Sequence, residues 1–505
     1  MIIPSARQRP AAPISLSLIA LAGGAFAAWH YHRLGLTLSH YDARGHLIVA
    51  RRIADSITPG WQQTGAVWLP LPHLLNAIPV QADLFYRTGA SAVAISVVSY
   101  AITAGAIAWI LLRLTASIPA AAAGAAVFAL NPNVLYLQST PMTEPLLLAS
   151  ITFAVALSIS GVVGGRASWG GGGRASSAPT GVAFALACLT RYEAWPATIA
   201  ALIAFAWARW RDGDDPATAV RETARIALFP AVAIAAFAIF SRVVIGEWFL
   251  AGGFFVPENK ALGDPMMAAA EIGWGVRALS GPLLTAIGAA GLGIALGLGL
   301  ASRRRAGALL IVALAAMAAI PWFAFYDGHP FRIRYMVPMI AVEAIGAGLA
   351  AGVWPGRRVQ AMAAVALILA ATYELRPLDA SAPMVVEAQW DRPNAPERAR
   401  VTACLGAPAP GRKIMASMGS LGHYMQEASS AGFAVRDFLH EGNGDIWLAA
   451  LVDPRPFVDW MLIEEKAEGG DMLARLARSK PSFLDGYDRT CEGAGLALYR
   501  RRSGG

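Results

Sequence analysis

The sequence HYDARGHLIVARRI spans residues 40–53 and lies between two long apolar stretches. One acid, two histidines and three arginines fall within these fourteen residues. Asp42 and His46 are four residues apart, so on a helix they would share one face. The apolar side of that helix would be formed by Leu47, Val49, Ala50 and Ile53. This pattern predicts an interfacial helix that covers the membrane surface and carries an acid near the end of the first apolar stretch.

The composition is typical of a membrane protein. Of the 505 residues, 56% are hydrophobic and only 15% are charged, and the mean hydropathy is +0.49. Soluble domains carry about 25% charged residues. The net charge of +8 comes almost wholly from arginine, which the positive-inside rule explains in a membrane protein. A nucleic-acid partner is disfavoured, because no basic stripe with interleaved aromatic residues is present.

Eleven apolar stretches are candidate membrane spans. They cover approximately residues 13–29, 88–112, 114–133, 146–163, 180–191, 196–208, 226–241, 281–301, 306–325, 335–353 and 359–373. A bilayer core of about 30 Å needs about 20 helical residues, so the fifth, sixth and eleventh stretches are short. The fifth and sixth are therefore also consistent with half-helices that pack inside the bundle.

A cytoplasmic N-terminus satisfies the positive-inside rule. The inner loops then carry Arg7, Arg9, Arg113, Arg166, Arg174, Arg209, Arg211, Arg221, Arg225, Arg303, Arg304, Arg305, Arg357 and Arg358. All eight histidines fall on the outer side, namely His30, His32, His40, His46, His73, His329, His423 and His440. A cleavable signal peptide is the alternative for the start of the chain, but cleavage would leave residues 30–87 on the same side.

After residue 374 the long apolar stretches end, and the sequence becomes a mixture of polar and apolar residues. We therefore divide it into a membrane domain, residues 1–373, and a small soluble α/β domain, residues 374–505, on the outer face. Strands are predicted at KIMASMGS, WMLIEE and LALYRR, and a short helix at LGHYMQEASSAG. Cys404 and Cys491 are either a disulfide or two free buried thiols. Residues 164–179 are rich in glycine and serine and predict a flexible inner linker.

Acidic and basic residues recur in the other outer loops. Glu144 lies just before the fourth span, and the turn LTRYEAWP contributes Arg191, Tyr192 and Glu193. The loop YDGHPFRIRYMVP contributes His329, Arg332 and Arg334, and a longer loop contributes Lys260. A single charge at a span end is commonly a snorkelling side chain. Four loops that place acids and arginines on one face instead indicate a general base and a site for a leaving phosphate.

These motifs resemble the GT-C superfamily of integral-membrane glycosyltransferases, which includes protein O-mannosyltransferases and the aminoarabinose transferases of lipid A. The likeness rests on YDARGHLIVARRI, NPNVLYLQSTPMTEPL, LTRYEAWP and GHPFRIRYMVP and covers roughly residues 13–373. It implies an inverting enzyme of the bacterial inner membrane with a polyprenyl-phosphate-linked sugar as donor. It also implies that Asp42 is the catalytic base and that Glu144 assists acceptor or metal binding.

The remaining site residues are assigned from charge and placement. Arg191, His329, Arg332 and Arg334 are candidates for binding the donor phosphate, and His46, Tyr192, Glu193 and Lys260 for binding substrate. Some members of the superfamily have paired acids where this chain has single ones, so we expect no metal or other cofactor, with a divalent cation as the alternative. The partners would be the lipid-linked donor and a lipid, glycan or protein acceptor.

Two other classes of function stay open at this point. A transporter or flippase for a lipid-linked or anionic substrate is the main alternative, and a receptor with an outer binding domain is the second. Transporters concentrate ionisable residues near the middle of the bilayer and often contain internal repeats. Here the predicted spans are almost free of charge and no repeat is visible. The sequence indicates neither the sugar nor the acceptor.

Overall fold

The computed structural model describes residues 11–163, 177–246, 248 and 259–502. The first half contains α1 (Ala11–Arg33), α2 (Tyr41–Arg51), α3 (Leu71–Asn76), α4 (Asp83–Thr88), α5 (Ala90–Thr115), α6 (Ile118–Ala129), α7 (Pro132–Leu137), α8 (Glu144–Val163), α9 (Ala178–Cys188), α10 (Ala194–Arg211) and α11 (Pro216–Phe240). The second half of the membrane domain contains α12 (Pro265–Ser280), α13 (Pro282–Ala301), α14 (Leu309–Leu314), α15 (Ala319–Tyr326), α16 (Val337–Gly352) and α17 (Arg357–Glu374). Arg7, Arg9, Arg166, Arg174 and most of the predicted linker lie outside the described residues.

Each of the eleven predicted spans falls on a helical segment. Seven of the described segments are long and apolar enough to cross a membrane, namely Ala11–Arg33, Ala90–Thr115, Glu144–Val162, Pro216–Ile245, Pro282–Ala301, Arg303–Tyr326 and Ile333–Gly352. The segments α6 and α9 are apolar but shorter. A polytopic helical membrane protein is therefore confirmed, while the number of eleven spans stays a prediction.

Small residues allow the closest helix packing in the membrane domain. At the contact between α13 and α16, a Cβ atom on Gly291 would overlap the carbonyl oxygen of Gly346. Gly288 similarly lies against the backbone of Glu343. Such small-residue contacts let two backbones approach each other, which is the usual basis of tight packing between membrane helices. The contact fixes α16, whose preceding turn carries Arg334.

The C-terminal domain is a five-stranded sheet with helices around it. Its elements are α18 (Pro383–Glu387), α19 (Ala395–Leu405), β1 (Ile414–Ala416), α20 (Met418–Ala428), β2 (Phe438–Leu439), α21 (Asp445–Val452), β3 (Trp460–Glu464), α22 (Met472–Ser479), β4 (Tyr487–Gly493) and β5 (Leu496–Arg501). The strand order is β2-β1-β3-β5-β4, and β1 pairs in parallel with β2 and β3 while β5 pairs antiparallel with β3 and β4. The three predicted strands and the predicted helix are confirmed. The structure joins Cys404 and Cys491 in a disulfide.

The segment between α1 and α5, which we call the first loop, packs against the C-terminal domain. Predicted helix α2 is confirmed, but its apolar side contacts α20 and does not face lipid, which corrects the prediction of an interfacial helix. Leu47 and Ile48 are at most 1% exposed and share a core with Leu421 and Tyr424 of α20. These side chains are buried because the C-terminal domain provides an apolar surface for them. The sequence of the first loop alone does not indicate that surface.

Candidate active site

Helix α2 positions the first acid of the site. Its N-terminus is capped by His40, whose ring Nδ1 accepts a hydrogen bond from the backbone N–H of Asp42 at 3.1 Å. Burial, with Arg334 as the next cause, lowers the pKa of His40 to about 3, so the ring is neutral and can accept this bond. Asp42 and His46 both lie on α2, where the four-residue spacing predicted a shared face, and both are buried.

Asp42 forms an ion pair with Arg334. Arg334 lies in the 3-10 turn Ile333–Met336, directly before α16, and its guanidinium lies 5.1 Å from the ring centre of Tyr335. Asp42 is 7% exposed and Arg334 6%. Charges buried to this extent need an opposite charge nearby, since an unpaired buried ion is strongly destabilising. The first loop and the loop before α16 are therefore joined through one pair of charges.

A second buried ion pair joins Glu144 and Arg191. Arg191 Nη1 lies 2.9 Å from Glu144 Oε1 and 3.1 Å from Thr143 Oγ1, and its Nη2 lies 2.6 Å from Glu193 Oε1. Glu144 is 0% exposed and Glu193 4%. Burial lowers the pKa of Arg191, but Glu144 and Glu193 outweigh it, so the pKa lies above its usual value. Arg191 is thus a fixed cation between two carboxylates.

The two ion pairs belong to one cluster. Burial, His73, Arg334 and Arg191, in that order, lower the pKa of His46 well below its usual value, so His46 lies near both arginines. The two carboxylates raise the pKa of Arg191, and the positive charge of Arg334 partly offsets that rise. Four chain segments that are far apart in sequence therefore bring two acids, two arginines and a neutral histidine together. The sequence predicted this convergence from the placement of charges in the loops.

His73 is a member of this region that the sequence analysis did not assign to the site. Its Nε2 lies 3.0 Å from His46 Nδ1, and both rings contact the indole of Trp68. Burial and then Arg52 lower the pKa of His73 to about 3. The two histidines line a small cleft, whose other walls include Thr143 and Leu146. The only sequence signal for His73 was that every histidine falls on the predicted outer side.

The loop before α16 supplies three further predicted residues. His329 Nδ1 lies 2.8 Å from the carbonyl oxygen of Pro330, and its Nε2 lies 3.3 Å from the hydroxyl of Tyr335. Burial lowers the pKa of His329. Arg332 is half-buried and lies close enough to His40, Tyr41 and His329 to affect their pKa values. Among the described ion pairs, Arg191 and Arg334 each have a carboxylate partner, whereas Arg332 has none.

The other two predicted substrate residues lie in different surroundings. The Tyr192 hydroxyl donates to the carbonyl oxygen of Ala66 at 3.3 Å, and burial raises its pKa. Lys260 is exposed and lies beside Glu271 of α12. No described hydrogen bond or ion pair joins Lys260 to Asp42 or Arg334, so a role for Lys260 in the site stays a prediction. Within the described residues, no three His, Cys, Asp or Glu side chains are placed to hold a metal ion.

Comparison with solved structures identifies the architecture. ArnT from Cupriavidus metallidurans bound to undecaprenyl phosphate superposes with a TM-score of 0.56 over 96% of this chain and 98% of that chain. The chain has the fold of ArnT. Sequence identity to this ArnT structure is 13%, and the apo form of ArnT gives 14% identity and a TM-score of 0.55 over 95% of this chain and 97% of that chain. No protein-family model and no curated protein matches the sequence. The likeness to ArnT confirms the predicted fold, a polytopic helical membrane protein with a small C-terminal domain.

Proposed function

We propose that this chain is a glycosyltransferase that moves a sugar from a polyprenyl-phosphate donor to an acceptor hydroxyl. The single observation that carries the proposal is the buried cluster of Asp42, Arg334, Glu144 and Arg191 on a fold shared with ArnT. ArnT is a lipid A aminoarabinose transferase of the GT-C superfamily, and its structure holds undecaprenyl phosphate. An acid–arginine cluster of this kind fits the two needs of the reaction, a base and a site for an anionic leaving group.

In the proposed reaction, Asp42 accepts the proton of the acceptor hydroxyl while the hydroxyl oxygen attacks the anomeric carbon of the donor. A new carbon–oxygen bond forms, and the bond between the anomeric carbon and the phosphate oxygen breaks. The electron pair leaves with polyprenyl phosphate, and the anomeric centre is inverted. In this step Asp42 would hold the proton of the acceptor, and the arginines would stabilise the negative charge of the leaving phosphate.

Arg332 is the arginine best suited to hold the donor phosphate before reaction. Arg191 and Arg334 are each neutralised by a carboxylate, whereas Arg332 keeps its charge available within the same loop. A guanidinium binds phosphate through paired, charge-assisted hydrogen bonds. The donor phosphate would then lie near Asp42, because Arg332 is two residues from Arg334, the ion-pair partner of Asp42.

We place the reaction on the extracytoplasmic side of the membrane. The Cys404–Cys491 disulfide supports this side, since disulfides persist in oxidising compartments and are rare in the cytosol. The excess of arginine in the loops predicted to be inner supports it independently. Nucleotide sugars are then absent from the site, which is consistent with a donor that is delivered on a lipid.

The test is release of polyprenyl phosphate from a panel of polyprenyl-phosphate sugars by purified protein in lipid nanodiscs, with membrane extract as the acceptor source. We expect release from one donor, a loss of about 10²–10⁴-fold in Asp42→Asn, and wild-type release in Asp453→Asn, which alters a partly exposed acid of the C-terminal domain. Release that is equal in wild type and Asp42→Asn would remove Asp42 as the base. No release from any donor would contradict the proposed function and favour a transporter.

A further inference from the structure

Helix α2 belongs to two packed cores at once. Ala43 is completely buried among the helices of the membrane domain, while Leu47 and Ile48 are buried in the core of the C-terminal domain. The helix that carries Asp42 is therefore enclosed from both sides. Without the C-terminal domain, this side of α2 would lose its packing against α20.

Asp55 fixes the end of this helical segment to the C-terminal domain. Its carboxylate accepts from Arg51 Nε at 3.0 Å and from Arg436 Nε at 2.7 Å. It also lies 3.3 Å from the backbone nitrogen of Val435, which begins a 3-10 turn of the C-terminal domain. Asp55 is 2% exposed. One buried carboxylate thus binds α2 and the C-terminal domain together.

Arg51 extends this connection to the rest of the first loop. Its Nη2 lies 2.8 Å from Asp83 Oδ1, its Nη1 donates to the carbonyl oxygens of Val80 and Gln81, and its guanidinium lies 4.7 Å from the ring centre of Tyr86. Burial raises the pKa of Asp55, but the bonds from Arg51 and Arg436 outweigh it and hold the pKa below its usual value. The carboxylate form is therefore the one that this network binds.

Further polar contacts run between the first loop and the C-terminal domain. Gln63 Nε2 donates to the carbonyl oxygen of Gly442 at 2.7 Å, and Asn443 Nδ2 donates to Ser56 Oγ at 3.1 Å. Nearer the acid, Arg44 Nη1 lies 3.1 Å from Glu427 Oε2 of α20. Arg44 is only two residues from Asp42. Directional bonds at both ends of α2 therefore define where the helix lies.

We infer that Asp55 and Arg436 are positioning residues: through them the C-terminal domain holds α2 so that Asp42 faces the arginine cluster. This inference rests on the proposed function of Asp42 as the base. Catalytic groups must be held within fractions of an ångström, and a displacement of about 1 Å can lower a rate by 10²-fold. The C-terminal domain is thus part of the catalytic apparatus without contacting the reacting atoms.

The test compares Asp55→Asn, Arg436→Gln and Arg436→Lys with Arg455→Gln in the nanodisc assay. Arg436 and Arg455 are both exposed arginines of the C-terminal domain that pair with one aspartate, but Arg455 pairs within its own domain. We expect kcat to fall at least tenfold in Asp55→Asn and three- to tenfold in Arg436→Gln, with the donor KM within twofold of wild type. Arg436→Lys should recover most of kcat, and Arg455→Gln should match wild type.

Amide hydrogen exchange over residues 41–51 gives a second measurement that does not depend on activity. The backbone amides of α2 should exchange faster in Asp55→Asn than in wild type. In Asp42→Asn, turnover should be lost, but amide exchange in the later residues of α2 should change less than in Asp55→Asn. Folded Asp55→Asn and Arg436→Gln with wild-type kcat and unchanged exchange would overturn the inference. If wild type releases no polyprenyl phosphate, the proposed function fails, and the exchange data alone then show whether the C-terminal domain holds α2.

Discussion

Asp42 and Arg334 form a buried ion pair that connects the first loop to the turn before α16. Neither residue is more than 7% exposed, so each charge depends on the other for compensation. Removing one partner of such a pair costs about 3–5 kcal/mol, while replacing both by neutral groups is much less costly. Stability and catalysis at Asp42 can therefore be separated by experiment.

We expect Asp42→Asn and Arg334→Gln each to lower the thermal unfolding midpoint, and the double variant Asp42→Asn/Arg334→Gln to recover most of it. Turnover should stay low in the double variant, because the base is still missing. Thermal unfolding and donor turnover of the three proteins provide the comparison. A double variant that regains turnover together with stability would show that Asp42 has a structural role only.

Arg191 differs from Arg334 because it is one cation between two buried carboxylates. Arg191→Gln leaves Glu144 and Glu193 without their partner and should destabilise the protein by about 3–5 kcal/mol. Glu193→Gln should cost less, because Arg191 still pairs with Glu144. Thermal unfolding of both variants is the measurement, and an equal loss in the two would contradict the assignment of Arg191 as the shared partner.

Local pattern in the sequence was sufficient to predict the helices and part of the site. The four-residue spacing of Asp42 and His46 predicted a shared helix face, and the apolar stretches predicted the membrane helices. Both predictions depend on residues that are close in sequence, where periodicity is a direct physical signal. The loop motifs also predicted the fold, because one acid after the first span and another before the fourth span are features of a known architecture.

Contacts between distant segments could not be predicted in this way. The sequence contains several outer arginines, and nothing local indicates that Arg334 pairs with Asp42 while Arg191 pairs with Glu144. Nor did it show that α2 would pack on α20, since that apolar side fits a lipid surface equally well. Glu343 was also missed: it is a single acid in an apolar stretch, yet it is buried in α16 near Ser280 and Thr285.

Arg332 should affect donor binding without affecting stability. It is half-buried and has no carboxylate partner among the described ion pairs, so Arg332→Gln breaks none of those pairs. Loss of a hydrogen bond between charged groups costs about 1.5–3 kcal/mol, which corresponds to a rise in donor KM of roughly 10–100-fold. Donor titrations of Arg332→Gln and of the surface control Arg400→Gln test this. An unchanged donor KM in Arg332→Gln would exclude it from the phosphate site.

His440 should make the C-terminal domain sensitive to acid. It is completely buried, and its Nδ1 accepts from the backbone N–H of Gly442 at 3.1 Å. Burial and then Arg52 lower its pKa to about 3, whereas an unfolded histidine titrates near 6.5. Between these two pH values the unfolded chain binds a proton that the folded chain does not, so stability falls as the pH decreases through this range.

The expected slope from His440 is about 1.4 kcal/mol per pH unit below pH 6.5. His440→Asn should reduce the overall slope by that amount, because the asparagine oxygen can accept the Gly442 hydrogen bond but cannot titrate. Unfolding of wild type and His440→Asn between pH 4.5 and 7 would measure the difference. Since His40 and His73 are depressed to about the same pKa and are unchanged in the variant, wild type and His440→Asn should both remain acid-sensitive, but with different slopes. If the free energy of unfolding changed with pH by the same slope in wild type and His440→Asn, His440 would be either already protonated in the folded protein or neutral in both states.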